Sequence, residues 1–105
     1  MKLVSALILV AATISAPAFA STDVATKNAC LTCHAPDKKM VGPSYKMVAE
    51  KYAGNKNAEA LLVASIKKGG SGKWGVVPMP ANAKLNDADL STLASWILRG
   101  APNKN

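Results

Sequence analysis

The stretch Cys30-Leu31-Thr32-Cys33-His34 decides how this chain is read. It is a C-x-x-C-H run, the attachment pattern for c-type haem. Each part has a chemical task. The two thiols add across the two vinyl groups of a haem and leave two thioether bonds. Two intervening residues on a helical turn let both sulfurs reach the same porphyrin edge. The histidine that follows lies under the iron and offers an imidazole nitrogen as its proximal ligand. Other readings explain less. A thioredoxin-like cysteine pair needs a βαβ pattern, and no stretch here alternates with period two over a strand length. A zinc site needs about four ligands, and the chain has no Cys or His beyond these three. A structural disulfide leaves His34 without a role.

The N-terminus reads as a targeting segment. Lys2 supplies a positive start, Leu3 to Ile14 an apolar run broken only by Ser5 and Thr13, and Ala18-Phe19-Ala20 a small-x-small cleavage site. The run is short for a membrane span. The expectation is a secretory signal peptide over 1–20, removed after Ala20, and a single domain over 21–105, delivered to the periplasm. That address fits the chemistry, because bacteria attach c-type haem outside the cytoplasm. A domain this small buries a limited core and often needs a staple. Covalent haem is such a staple, so the haem-free chain is expected to fold poorly.

The formal net charge is +7. Export removes most nucleic-acid partners, and no run of like charges exceeds Lys38-Lys39 or Lys67-Lys68. The basic surface therefore points to acidic patches on protein partners, or simply to lysines that keep the chain in solution.

The rest of the chain reads as four helices. Ser21-Thr22-Asp23 offers a cap for a first helix running into Cys30. Ala35 to Pro43 holds two prolines and a glycine and reads as a loop, with Met40 and Val41 as haem contacts. Pro43 is either a turn proline or an acceptor, through its carbonyl, for the second nitrogen of His34. Ser44 caps a second helix over 45–53, with Tyr45, Val48 and Tyr52 on one face. Asn57 caps a third over 58–68, with Leu61, Leu62, Ser65 and Ile66 inward and Gly69-Gly70 at its end. A long Gly/Pro-bounded loop follows, and a structureless stretch of that length is usually functional. Asn86 opens the last helix, where Leu90, Leu93, Ala94, Ile97 and Leu98 repeat at helical spacing. Gly100 ends it.

One histidine leaves the sixth position of a haem iron to be assigned. An open position binds gases or peroxide, whereas a side chain there suits electron transfer. Met40, Met47, Met79 and the lysines are the candidates. Met40 is close to His34 in sequence and Met47 lies on a helix. Met79 sits in Val77-Pro78-Met79-Pro80, where a proline on each side restricts the backbone and can hold a sulfur towards iron. Alternatively, Met79 fills a gap in the core.

With Cys30-Leu31-Thr32-Cys33-His34 and Pro78-Met79-Pro80 both present, the sequence resembles the small bacterial class I cytochromes c, of the c-551/c-552 group. The resemblance also rests on Lys39-Met40-Val41-Gly42-Pro43-Ser44-Tyr45, Lys51-Tyr52-Ala53-Gly54, Ile66 to Gly75, Val77 to Asn82 and Leu93 to Leu98. It implies an all-α, class I cytochrome c fold: four short helices and loops wrapped around one covalently bound haem c. It implies a monomeric periplasmic electron carrier of respiratory chains, not an enzyme, with no nucleic acid and no stable membrane insertion. It assigns the thioethers to Cys30 and Cys33, the axial positions to His34 and Met79, and the acceptor for His34 to the Pro43 carbonyl. It places Asn82 near the Met79 sulfur and directs the Trp74 indole N–H to a haem propionate. Trp96 is expected against the first helix. Two departures stand out. Ser65 occupies a position where some relatives carry Arg or Lys facing a propionate, so a potential that varies with pH near neutrality is expected. Ala25 replaces a bulky side chain, so a lighter contact between first and last helices is expected.

The leading function is thus single-electron transfer, with Lys38, Lys39, Lys73 and Lys84 around an exposed haem edge. The alternatives are a gas sensor or peroxidase-like protein with an open sixth site, and a haem-free thiol–disulfide module. No second histidine is available as a distal catalyst.

Overall fold

The structure is a computed structural model and describes residues 8–12 and 19–102. It contains α1 (Phe19–Lys27), α2 (Tyr45–Lys51), α3 (Ala58–Lys68) and α4 (Asp87–Leu98), with a short 3-10 turn over Cys30–Thr32. Among the described residues the only β-type pairing is an isolated antiparallel bridge between Gly70 and Met79. Most of the expected signal peptide, with Ala18 of its cleavage site, lies outside the described residues.

The last helix organises the others. α4 packs against α1, α2 and α3. Its residues Leu90, Leu93, Ala94, Trp96 and Ile97 are all buried. They recur at three- and four-residue spacing, which puts them on one side of a 3.6-residue helix. Fully burying each large apolar side chain contributes about 1.5–3 kcal/mol. Facing partners are Ala25 from α1, Tyr45 and Val48 from α2, and Ala58, Leu62 and Ile66 from α3. Trp96 meets the Tyr45 ring edge-on, with centroids 5.3 Å apart. Its indole N–H donates to the Pro102 carbonyl at 3.2 Å.

The helix ends follow from local chemistry. The Ser44 hydroxyl accepts from the Met47 N–H at 3.1 Å and the Asn86 side chain accepts from the Asp89 N–H at 2.8 Å. Both satisfy donors that a helix start leaves open. α4 closes with Gly100 N–H on the Ile97 carbonyl and Ala101 N–H on the Trp96 carbonyl. Those two bonds are the Schellman pattern, with Gly100 at φ 87°.

Several sequence expectations are corrected. α1 begins at Phe19, ahead of the Ser21-Thr22-Asp23 cap, and stops at Lys27 rather than running into Cys30. Ala29, in the left-handed region at φ 58°, breaks it from the 3-10 turn. α2 is shorter than expected and ends at Lys51, with Tyr52 as its cap. Asn57 makes no side-chain cap to α3; instead the Asn55 side chain accepts from the Asn57 N–H. Leu61 is exposed, because α4 lies over the Ala58–Leu62–Ile66 row and not the row beside it. Leu98 is only half-buried. Ala25, as a small residue, is fully buried in the core cluster that α1 shares with α4.

Candidate haem-binding cleft

A cleft of about 890 Å³ opens between two walls. Cys30, Cys33, His34 and Pro43 line one wall; Trp74, Met79 and Asn82 come from the long loop on the other. Val48, Leu62, Ile66, Leu93 and Ile97 give the cleft an apolar floor. All seven residues singled out from the sequence therefore meet in one cavity, although they are spread over half the chain.

The His34 wall is built by close contact. The C-x-x-C-H run turns tightly, with the His34 N–H on the Cys30 carbonyl at 3.0 Å and the Gly42 N–H on the Cys33 carbonyl at 2.8 Å. The His34 Nδ1 lies 2.7 Å from the Pro43 carbonyl oxygen. A carbonyl only accepts, so Nδ1 carries a proton, and in the neutral ring Nε2 then holds the lone pair that a metal ligand needs. The Tyr45 ring stacks on His34, centroids 5.2 Å apart and planes 17° apart. Gly42 lies against the same imidazole, and a Cβ there would stand 2.9 Å from Nδ1. The Cys30 and Cys33 thiols are free and half-buried. In the free-thiol state, burial pushes the Cys30 thiol above the usual range. Burial likewise pushes the Tyr45 hydroxyl well up, with smaller contributions from Cys30.

The Met79 wall is held through backbone. The Met79 N–H donates to the Gly70 carbonyl at 2.7 Å, and the Gly70 N–H returns to the Met79 carbonyl at 3.1 Å. The Asn82 N–H donates to the Ile66 carbonyl at 2.9 Å. Gly69 makes this approach feasible. Its φ of 68° and ψ of −169° lie in a region open essentially to glycine alone. A Cβ on it would come within 2.7 Å of the Ala81 nitrogen. Trp74 is half-buried with the Lys51 ammonium 4.4 Å from its ring centroid.

The methionines separate clearly. Met79 is half-buried and lines the cleft. Met40 and Met47 are 44% and 39% exposed and line no part of it. Met40 is thus not the cleft contact expected from the sequence, whereas Val41 does line the cavity. Gly42, Tyr45 and Gly69 were not legible as site residues. Gly42 read only as part of a loop, Gly69 only as a helix end, and Tyr45 only as a core residue.

The cleft suits a large, flat, apolar group: it has two thiols and an imidazole with a free nitrogen on one wall, a thioether on the other, and hydrocarbon beneath. Among the described residues, no three His, Cys, Asp or Glu side chains gather as a metal-holding group. The family model for cytochrome c matches residues 22–101. The chain belongs to the cytochrome c family. It is 48% identical over 79 residues to cytochrome c-552 of Nitrosomonas europaea, covering 75% of this chain and 77% of that one. It is 50% identical over 80 residues to cytochrome c-552 of Hydrogenobacter thermophilus, covering 76% and 81%. The crystal structure of the wild-type Nitrosomonas europaea cytochrome c552 superposes with a TM-score of 0.73 at 47% identity, covering 75% of this chain and 98% of that one. As a cytochrome c, the chain is a monohaem electron carrier rather than an enzyme, with one covalently bound haem c. No helix among the described residues is long and apolar enough to cross a membrane.

Proposed function

We propose that this cytochrome is a periplasmic, monomeric shuttle that passes single electrons between respiratory partners, with His34 and Met79 as axial ligands. The observation that carries the reading is the state of His34. Its Nδ1 is committed to the Pro43 carbonyl, which leaves Nε2 for iron. Met79 supports the second ligand, as the one methionine among those described that lines the cleft. Cys30 and Cys33 hold the thioethers.

Bound haem supplies a one-electron ferric/ferrous couple. The protein's part is to keep both ligands in place through that change. Pro43, Tyr45 and Gly42 fix the imidazole, so it does not rotate as the charge on iron changes. Gly69 and Gly70 fix the backbone of Met79. A thioether ligand favours the ferrous state and raises the potential. The Trp74 indole is directed to a haem propionate and Asn82 stands near the Met79 sulfur. Lys38, Lys39, Lys73 and Lys84 steer acidic redox partners to the open edge. The signal peptide over 1–20 directs export and is removed after Ala20.

The visible and near-infrared spectrum of protein purified from the periplasm tests this. Sharp c-type bands on reduction, with a weak near-infrared sulfur-to-iron band on oxidation, are expected. Haem bands without the sulfur band would replace electron transfer with an open sixth site for gas or peroxide. Rates with an acidic partner should fall as ionic strength rises; unchanged rates would remove the steering role of the lysines.

A further inference from the structure

The resemblance to the c-551/c-552 group implies a basic neighbour for a haem carboxylate at the position where this chain has Ser65. The cleft holds another cation. Lys73 extends its ammonium to within 3.4 Å of the Tyr52 hydroxyl. Tyr52 is 8% exposed, so that hydroxyl is a fixed anchor for an otherwise mobile side chain. Tyr52, Ser65, Lys73 and Trp74 all line the cleft. The clasp runs both ways: Lys73 of the long loop reaches the cap of α2, while Lys51 of α2 lies over the ring of Trp74 in the loop.

Haem chemistry says what this corner meets. The vinyl groups and the two carboxylates sit on opposite halves of the macrocycle. With Cys30 and Cys33 holding the vinyl half, the carboxylates leave towards the rest of the cleft. The titratable or hydrogen-bonding groups there are Tyr52 after α2, Ser65 on α3, Ser71, Lys73, Trp74 and Asn82 on the long loop, and Lys39 on the loop after His34. No Asp or Glu lines the cavity. Ser65 is turned to its own helix, its hydroxyl donating to the Leu61 carbonyl at 3.0 Å. Of the two lysines, Lys73 is the one anchored to a cleft side chain.

We infer that Lys73, held by the Tyr52 hydroxyl, is the cation that receives a haem carboxylate in this chain, in place of the basic side chain that Ser65 lacks. The inference rests on the haem reading above. A cation at that place keeps the carboxylate ionised through neutrality, so the potential is flat with pH there. This reverses the expectation drawn from Ser65 alone. The same charge disfavours ferric iron and raises the potential.

The test is potentiometry on the purified holoprotein, after its spectrum has shown c-type bands. Lys73→Gln should shift the midpoint potential negative and add a slope near neutrality, with the potential falling as pH rises and the carboxylate ionises. Lys73→Arg should keep the wild-type profile. Tyr52→Phe, which frees the lysine, should give a smaller negative shift. Lys56→Gln, on an exposed residue outside the cleft, measures the effect of any lost surface charge. A Lys73→Gln profile identical to wild type, or no larger a shift than Lys56→Gln, would overturn the inference. A wild-type protein without haem bands would instead overturn the reading beneath it.

Discussion

The two walls of the cleft reach order by different routes. His34 is held through its side chain: a carbonyl at Nδ1, an aromatic ring on its face and a glycine pressed against it. Met79 is held through its main chain, by two bonds to Gly70 and a neighbouring bond from Asn82 to Ile66. Its loop is otherwise open, with Val76 93% exposed and Val77 60% exposed. The first wall buries its supports and the second leaves them near water. Local opening follows few buried contacts and solvent-exposed backbone bonds, so the methionine wall should yield first.

Substitutions can separate the walls. The largest effect is expected from removing both anchors. Cys30→Ser with Cys33→Ser should abolish covalent haem and, with it, the cooperative melt, read by far-ultraviolet circular dichroism. A cooperative melt near the wild-type temperature would show that the protein core stands without its staple. Gly69→Ala comes next. It adds backbone strain of about 1–3 kcal/mol and forces a Cβ into the 79–81 backbone. The near-infrared sulfur band should be lost while the thioethers and the His34 signature remain. Gly42→Ala should act on the other wall, with overpacking of about 1–3 kcal/mol against the imidazole and a disturbed histidine signal in the paramagnetic NMR spectrum. If both glycine variants gave the same spectrum, the walls would not be independent.

Smaller changes should touch neither wall. Asn86→Ala removes the cap of α4 and should cost about 1 kcal/mol, lowering the melting temperature with an unchanged spectrum. Lys67→Gln breaks an ion pair to Asp87 whose partners are 54% and 94% exposed. Exposed pairs of this kind contribute about 0–1 kcal/mol, so the melting temperature should fall by less than about 4–8 °C for a domain this size.

These contrasts also explain what the sequence carried. The C-x-x-C-H run binds chemistry and spacing into five consecutive residues, so it was legible directly. Met79 was legible as a cleft residue because prolines flank it, and α4 because its apolar residues repeat over three turns. The inward row of α3 was not. Leu61 and Leu62 are equally apolar, and only the position of α4 decides that Leu62 is buried. Close approach was hidden for a related reason. Gly42 and Gly69 are necessary because of atoms that arrive from elsewhere in the chain, and a glycine in a loop carries no mark of what will press against it. Lys73 belongs to the same class: its partner Tyr52 is fixed by α2, twenty-one residues earlier.

The bridge between Gly70 and Met79 also sets an order of assembly. In a chain exported from its N-terminus, Cys30, Cys33 and His34 cross the membrane ahead of α4, so the attachment run meets the haem-attaching machinery early. The Met79 loop hangs from the end of α3, and α3 finds its buried partners only when α4 exists. A chain truncated before α4 should still be marked with haem, yet carry iron that the second wall never reaches.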